Sequence, residues 1–237
     1  MKLTILGNNG PYPCEGGACS GYLLTSDSGN TNLLIDCGTG TLANLSKVLS
    51  WDALDAVLLS HLHFDHMSDM LPMQYALQFH PRAEALRVWA PMTPAPVRAL
   101  LDVPAYALQP MEDVQIGEFS VRFFPGRHPV QSFAMRFECD GAAFVYTGDT
   151  NEIEGLGRFA ENADLLLADA GLSSADWKIA APHLSAAGCG RLARSANVKR
   201  LLLTHLNPKY APAFLESEAR ADFEHAEFTA IGAEYAI

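Results

Sequence analysis

Ala56-Val57-Leu58-Leu59-Ser60-His61-Leu62-His63-Phe64-Asp65-His66 is the stretch that decides the reading of this chain. Its first four residues are all apolar, the pattern of a short strand buried on both faces. Four candidate ligands follow within six residues: His61, His63, Asp65 and His66. Imidazole and carboxylate together suit zinc, iron or manganese and need no thiolate. A strand end that runs into a tight loop can aim alternate side chains at one pocket. The segment can therefore feed two adjacent ions, with His61 and His63 on one and Asp65 and His66 on the other. An isolated His-x-His is usually a surface loop. Here the Asp-His at a fixed offset and the apolar strand before it point to a metal site.

Working outward, the pattern predicts strands at Lys2–Leu6, Gly21–Thr25 and Thr31–Asp36, the last two joined by a turn through Ser26–Asn30. A helix is expected over Thr41–Leu49, with Leu42, Leu45, Val48 and Leu49 on one face. Another begins soon after His66, with Ser68 as its N-cap. Strands follow at Arg87–Ala90 and Glu118–Pro125, then a hairpin pairing Gln131–Cys139 with Ala142–Thr147 around Asp140-Gly141. The last third alternates: strand Asp164–Asp169, helix Ser185–Ala196, strand Arg200–Thr204, helix Pro212–Glu224. Antiparallel strands followed by helix–strand units imply a layered α/β protein with helices outside the sheets.

The chain has 237 residues, 49% of them hydrophobic and 18% charged, with no linker, repeat or low-complexity tract. A single domain spanning 1–237 is expected. No apolar run approaches the roughly 18–20 residues of a membrane span. The N-terminus lacks the apolar core and cleavage site of a secretory signal, so the expected location is the cytoplasm. Five cysteines, an odd number without a CxxC pair, need no disulfide framework. Only Cys14 and Cys19 share a loop in which they could meet. With 16 basic and 27 acidic residues the formal charge is −11. Two divalent cations would leave it at about −7, still unfavourable for nonspecific contact with nucleic acid.

His-x-His-x-Asp-His after a short apolar strand resembles the signature of the metallo-β-lactamase superfamily. Later segments resemble the family in order. Gly126-Arg127-His128-Pro129 resembles the stretch carrying the third histidine of the first site. Tyr146-Thr147-Gly148-Asp149-Thr150 resembles the Gly-Asp-Thr motif with its bridging aspartate, and Leu203-Thr204-His205 the segment completing the second site. The resemblance implies an αββα sandwich of two mixed β-sheets, with the site at one edge between them. It implies one ion on His61, His63 and His128, a second on Asp65, His66 and His205, and Asp149 shared. Alone, each later match would be an ordinary histidine or capping residue; in order, and with His183 included, six of the eight histidines fall on motif positions, leaving His80 and His225. The ions are expected to be zinc, with manganese or iron able to take the same ligands.

Two such ions about 3.5–4 Å apart hold and activate a hydroxide between them and stabilise charge on a phosphoryl or carbonyl oxygen. By the same resemblance Asp65 both ligates and accepts a proton. Pro182-His183-Leu184-Ser185, 22 residues before His205, resembles a segment of the ribonuclease Z-like branch whose histidine faces the metals and assists phosphodiester cleavage; protonating the leaving alkoxide is a fitting task for such an imidazole. That branch orients this histidine with a glutamate. Here Leu166-Leu167-Ala168-Asp169-Ala170-Gly171 offers Asp169 instead, which leaves the orienting role open. Asp36 stands where a carboxylate would support a ligand histidine, and the loop Gly7–Pro13 resembles one whose amides approach a phosphate.

The long enzymes of that branch insert a tRNA-gripping arm after the third histidine. Only 20 residues separate His128 from Asp149 here, enough for a hairpin. The implied enzyme is a short-form relative whose substrate is a small phosphodiester; short RNA stays open and tRNA is disfavoured. A hydrolase of thioesters, lactones or other acyl bonds is the alternative, and a non-catalytic metal-binding protein the second. A homodimer is implied by the resemblance, with Met70–Leu77 as one apolar helix that could serve it. Trp51, Trp89 and Trp177 are expected to pack within the protein.

Overall fold

The computed structural model describes residues Met1–Ile237. Its strands are β1 (Lys2–Gly7), β2 (Gly21–Thr25), β3 (Asn32–Ile35), β4 (Ala56–Leu58), β5 (Leu86–Trp89), β6 (Tyr106–Gln109), β7 (Val114–Ile116), β8 (Phe119–Pro125), β9 (Phe133–Cys139), β10 (Ala142–Tyr146), β11 (Leu165–Asp169), β12 (Leu201–Thr204), β13 (Glu227–Phe228) and β14 (Glu234–Ala236). They form two seven-stranded sheets, ordered β14-β1-β2-β3-β4-β5-β6 and β13-β12-β11-β10-β9-β8-β7. Each sheet is mixed: β3 to β6 run parallel in the first and β10 to β13 in the second, the remaining pairs being antiparallel. The helices are α1 (Thr41–Val48), α2 (Phe64–Met67), α3 (Met70–Phe79), α4 (Ala95–Arg98), α5 (Leu156–Phe159), α6 (Ala186–Ser195) and α7 (Pro212–Arg220).

Alternation along the strands makes three apolar layers out of two sheets. Leu3, Leu33, Ile35 and Leu58 face Phe137, Phe144, Leu165 and Leu167 across the sandwich. The intervening Leu34 and Val57 point outward and meet Leu45, Met70 and Met73 of the helices. Leu166, Ala168 and Leu203 do the same beneath α6 and α7, against Cys189 and Leu215. Each fully buried leucine contributes about 1.5–3 kcal/mol. This is the αββα architecture of two mixed sheets between helices, and no helix is long and apolar enough to cross a membrane.

The expected elements lie close to their predicted bounds, with three differences. Ser68 does not cap a helix. It ends the short α2, and its hydroxyl pairs with Thr39 Oγ1 at 2.8 Å. The helical turn starts earlier because Phe64–Met67 curls directly out of the histidine loop. Asp69 precedes α3 and accepts the Leu42 amide at 2.9 Å, so it serves the first turn of α1 from a distance. Val48 lies on the open side of α1, 48% exposed, instead of on its buried face. The last helix stops at Arg220, four residues short of Glu224, where the Arg220 guanidinium donates to the Ala226 carbonyl and the chain turns toward β13.

All five cysteines are free. Trp89 is buried in the sandwich, and Trp177 donates its indole N–H to Asn151 Oδ1. Met70, Met73 and Leu77 of α3 are buried in the chain's own core, while Tyr75 and Phe79 of the same helix are exposed.

Candidate metal centre

In open α/β sheets, ligands gather beyond the carboxyl ends of parallel strands, and here both sheets send such ends to one edge. Asp36 follows β3 and His61 follows β4; Asp149 follows β10, Asp169 ends β11 and His205 follows β12. Three contacts lock the two edges together. Tyr22 and Thr204 share a hydroxyl hydrogen bond at 2.7 Å, Tyr146 donates to Asp36 at 2.8 Å, and the Phe133 amide donates to the Ser60 carbonyl at 3.0 Å.

Candidate ligands up to 144 positions apart converge there. Nδ1 of His63 lies 3.1 Å from Nε2 of His61 and 2.9 Å from Nε2 of His128. Nε2 of His205 lies 3.2 Å from Oδ2 of Asp65, and Nε2 of His66 lies 3.6 Å from it. Asp149 stands between the groups. Its Oδ1 is 3.4 Å from His66 Nε2, and its Oδ2 is 3.2 Å from His205 Nε2 and 3.6 Å from His61 Nε2. Every histidine and aspartate that the sequence singles out is in this cluster, with His183 and Asp169 at its side.

The donor set fits metal ions. Nitrogen or oxygen donors about 2.0–2.1 Å from a tetrahedral ion sit about 3.3–3.4 Å from one another, and the spacings above bracket that value. Hydrogen bonds alone explain the cluster poorly. Three imidazole nitrogens meeting at His63 cannot all be satisfied by the single proton its Nδ1 can carry or accept. His66 Nε2 and Asp149 Oδ1 are buried with no hydrogen-bond partner, an arrangement that is costly unless something else fills the gap. His61, His63, His128 and Asp149 would hold one ion; Asp65, His66, His205 and Asp149 the other. His and Asp donors accept zinc, manganese or iron.

The electrostatics agree with this division. Burial, and then the neighbouring His66, hold His61 well below the ordinary histidine range. Burial and the neighbouring His128 lower His63, and burial lowers His128. These three rings are thus neutral with lone pairs free. Burial opposes charge on His66 and His205, but Asp149 outweighs it, helped by Asp36 for His66 and by Asp65 for His205, so both are raised. Burial likewise opposes the charge of Asp149, yet His205, His66 and His61 hold its carboxyl well below the usual range. This half of the pocket gathers negative charge and calls for positive charge in its midst.

An outer ring of bonds orients the inner one. Asp36 Oδ2 accepts from His66 Nδ1, Tyr146 and Ser60, each at 2.8 Å, while its Oδ1 accepts the Ser60 amide at 2.7 Å. Asp36 takes a left-handed backbone, φ 55°, that aspartate tolerates better than most residues. The Pro182 carbonyl lies 2.9 Å from His128 Nδ1, which fixes that ring's tautomer. His183 Nδ1 lies 2.9 Å from Asp169 Oδ2 and 3.6 Å from Asp149 Oδ2. Burial opposes a charge on His183, but Asp169 and then Asp149 raise it to about 9. Its side chain is 19% exposed, against 0–3% for His61, His66 and His205. His183 is therefore open to a reactant while those rings are closed off.

Two contributors carry no sequence signal of their own. Asn151, fully buried, bonds the loop before His183 through its side chain. Gly10 lies against the ring of His205. Asparagine and glycine after a strand read as ordinary turn residues, so only the assembled fold reveals either one. The Gly7–Pro13 loop reaches the site by packing on that histidine.

A sequence model of the β-lactamase superfamily domain matches residues 31–206. The probable metallo-hydrolase YhfI of Bacillus subtilis (strain 168) is 33% identical over 231 residues, 94% of each chain. A crystal structure of YhfI superposes with a TM-score of 0.91 over 99% of both chains, at 31% identity. Ribonuclease Z of Archaeoglobus fulgidus is 26% identical over 291 residues, covering 95% of this chain and 94% of its own. The short form of human tRNase Z shares the fold, with a TM-score of 0.82 at 18% identity over 100% of this chain and 99% of that one. The chain belongs to the metallo-β-lactamase superfamily, among its metallo-hydrolases.

Proposed function

We propose that the protein is a dinuclear metal-dependent phosphodiesterase acting on a small phosphodiester. The observation that carries this reading is the Asp169–His183 pair, 2.9 Å apart, set beside Asp149 with the His183 side chain 19% exposed. Attack on a phosphodiester expels an alkoxide, a poor leaving group unless protonated. A charged imidazole near neutral pH is suited to that transfer. Hydrolysis of an activated acyl bond makes no comparable demand.

Ions held by His61, His63, His128, Asp65, His66, Asp149 and His205, most simply zinc, would lower the pKa of the attacking water and neutralise charge on the phosphoryl oxygens. The chain's own residues supply the rest. Asp65, buried in the cluster, bears a carboxylate that can take the proton from water. A new P–O bond forms to that water's oxygen, the P–O bond to the leaving group breaks, and His183 Nε2 gives its proton to the departing oxygen. Asp169 holds His183 by Nδ1, leaving Nε2 as the donating atom.

The kinship with ribonuclease Z supports phosphodiester chemistry, and the form of this chain favours a small substrate. Between His128 and Asp149 the chain makes only the β9–β10 hairpin, with no arm to embrace tRNA, and the net charge is −11. Short RNA would have to enter without such an arm. The test is hydrolysis of bis(p-nitrophenyl) phosphate by zinc-loaded protein, with a chelated sample as blank. Chelator-sensitive turnover is expected. Bound metal without turnover, alongside cleavage of a thioester or lactone, would overturn the reading.

A further inference from the structure

The buried segment Asn8–Gly10 closes over His205 from the opposite side of the molecule's sequence. Leu206 donates its amide to the Asn8 carbonyl at 2.7 Å, and Gly10 donates its own to the Leu206 carbonyl at 3.1 Å. These bonds grip the backbone just beyond His205, which itself sits in the left-handed region at φ 58°. That region is uncommon for a residue with a side chain and persists only where neighbours impose it. Asn8 is tied down in turn by its side-chain amide, which bonds both the carbonyl and the hydroxyl of Thr229.

Gly10 presents its bare α-carbon to the imidazole. A Cβ at position 10 would lie 2.1 Å from Nε2 of His205, 2.3 Å from Cε1 and 2.4 Å from Cδ2. Nε2 is the very atom that stands 3.2 Å from both Asp65 Oδ2 and Asp149 Oδ2. The other side of the ring is closed too. His183 stacks on it with centroids 4.8 Å apart, His66 with centroids 5.4 Å apart, and a Cβ on Gly171 would come within 3.1 Å of its Nδ1. The ring can occupy its place only while residue 10 has no side chain. The obstructed atoms belong to the His205 side chain and none to backbone, so a methyl group at position 10 presses on the ring itself.

We propose that Gly10 is the positioning residue of the second metal position: its bare face seats His205, and any side chain at 10 empties that position while sparing the one formed by His61, His63 and His128. The inference rests on the two-ion reading given above. Ligand histidines need a fixed ring orientation, usually through a hydrogen bond to the other nitrogen. His205 Nδ1 lacks such a bond, its nearest carboxylate oxygen being Asp169 Oδ1 at 3.6 Å. Packing against Gly10 takes over the orienting role.

The experiment compares wild type, G10A, H205A and the double variant G10A/H205A, each stripped, reloaded with zinc, passed through gel filtration and assayed for zinc per chain by plasma emission. Melting temperatures are measured on the stripped proteins. The expected result is about two zinc per chain in wild type and about one in each variant. In the double variant the methyl group meets no ring, so G10A lowers the melting temperature in the wild-type background and leaves it unchanged in the H205A background. G10A retaining about two zinc would overturn the proposal. So would loss of both ions, or an equal drop in melting temperature in the two backgrounds, since either would make Gly10 a general structural residue. Wild type that takes only one zinc would overturn the two-ion reading itself, a failure visible in the wild-type count alone.

Discussion

Asp169 Oδ2 accepts a hydrogen bond from His183 Nδ1 at 2.9 Å, and the same carboxylate is bound on its other sides by backbone amides. Gly171 donates to Oδ1 at 2.9 Å and Thr150 to Oδ2 at 3.3 Å. Every neighbour is a donor, which a carboxylate satisfies and an amide does not. Asp169→Asn therefore turns an N–H against another N–H in either orientation of the side chain. We expect hydrolysis of bis(p-nitrophenyl) phosphate to fall about 10–100-fold with zinc content intact. His183→Ala should lower it further, about 10²–10⁴-fold, the usual contribution of a general acid. Unchanged turnover in His183→Ala would remove the ring from the reaction and reopen the acyl alternatives.

Asp36 bears on metal affinity in the same way. It accepts from His66, Tyr146 and the Ser60 hydroxyl and amide at once. Asparagine tolerates the left-handed backbone at this position, so Asp36→Asn changes the charge and one acceptor with little strain. Zinc affinity should drop about 10–100-fold, the usual effect of removing the carboxylate behind a ligand histidine. On the two-ion reading His66 serves only the second position, so one of two binding steps in a competitive chelator titration should move and the other stay. Equal weakening of both steps would show that Asp36 acts on the fold as a whole.

The sequence made the site far more legible than the sheet edges. Four ligands lie side by side in His61–His66, directly after a run of four apolar residues, and the hairpin at Asp140-Gly141 carries its own turn chemistry. Asp36 was legible only through the family resemblance, since an aspartate at a strand end reads equally well as a turn cap. By contrast, β6 and β7 hold Tyr106–Gln109 and Val114–Ile116 at the sheet edges, where half-exposed residues give no clean alternation. The two-residue β13 and three-residue β14 are too short for any period to show. Ser68 misled because a serine before an apolar helix is the ordinary cap signal, whereas the cap geometry was decided by a helical turn begun at Phe64. Gly10 and Asn151 act through partners about 195 and 30 positions away, a relation that no local pattern encodes.

Removing the ions should destabilise the protein measurably. The stripped chain keeps Asp65, Asp149 and five inward-facing imidazoles together with buried polar atoms that have no partner. An ion present at about 100 times its dissociation constant contributes about 2.7 kcal/mol. For a chain of this size that corresponds to a melting temperature about 5–11 °C lower after chelation. Restoring zinc should restore it. A chelated sample that melts with the loaded one would mean that these residues hold no ion under the conditions of the scan.

Asn151 ties down the loop that leads to His183. Its side-chain N–H groups are shared among the carbonyls of Lys178 at 3.1 Å, Ile179 at 3.4 Å and Ala181 at 2.6 Å, and its Oδ1 accepts the Trp177 indole at 2.9 Å. The next carbonyl along, that of Pro182, fixes His128, and His183 follows it. Arg127, beside His128, also donates to the Ile179 carbonyl, at 2.9 Å. Asn151→Asp keeps the shape but sets a carboxylate against three carbonyl oxygens, and each lost buried hydrogen bond costs about 1–3 kcal/mol. The segment should then open locally before the sheets do. Lys178 is exposed in the native loop, so trypsin should cut the variant there while wild type resists. Phosphodiester turnover should fall together with zinc affinity at the position that includes His128. A variant as resistant to trypsin as wild type, with turnover unchanged, would show that the loop is held by its own turns and that Asn151 only fills space beneath it.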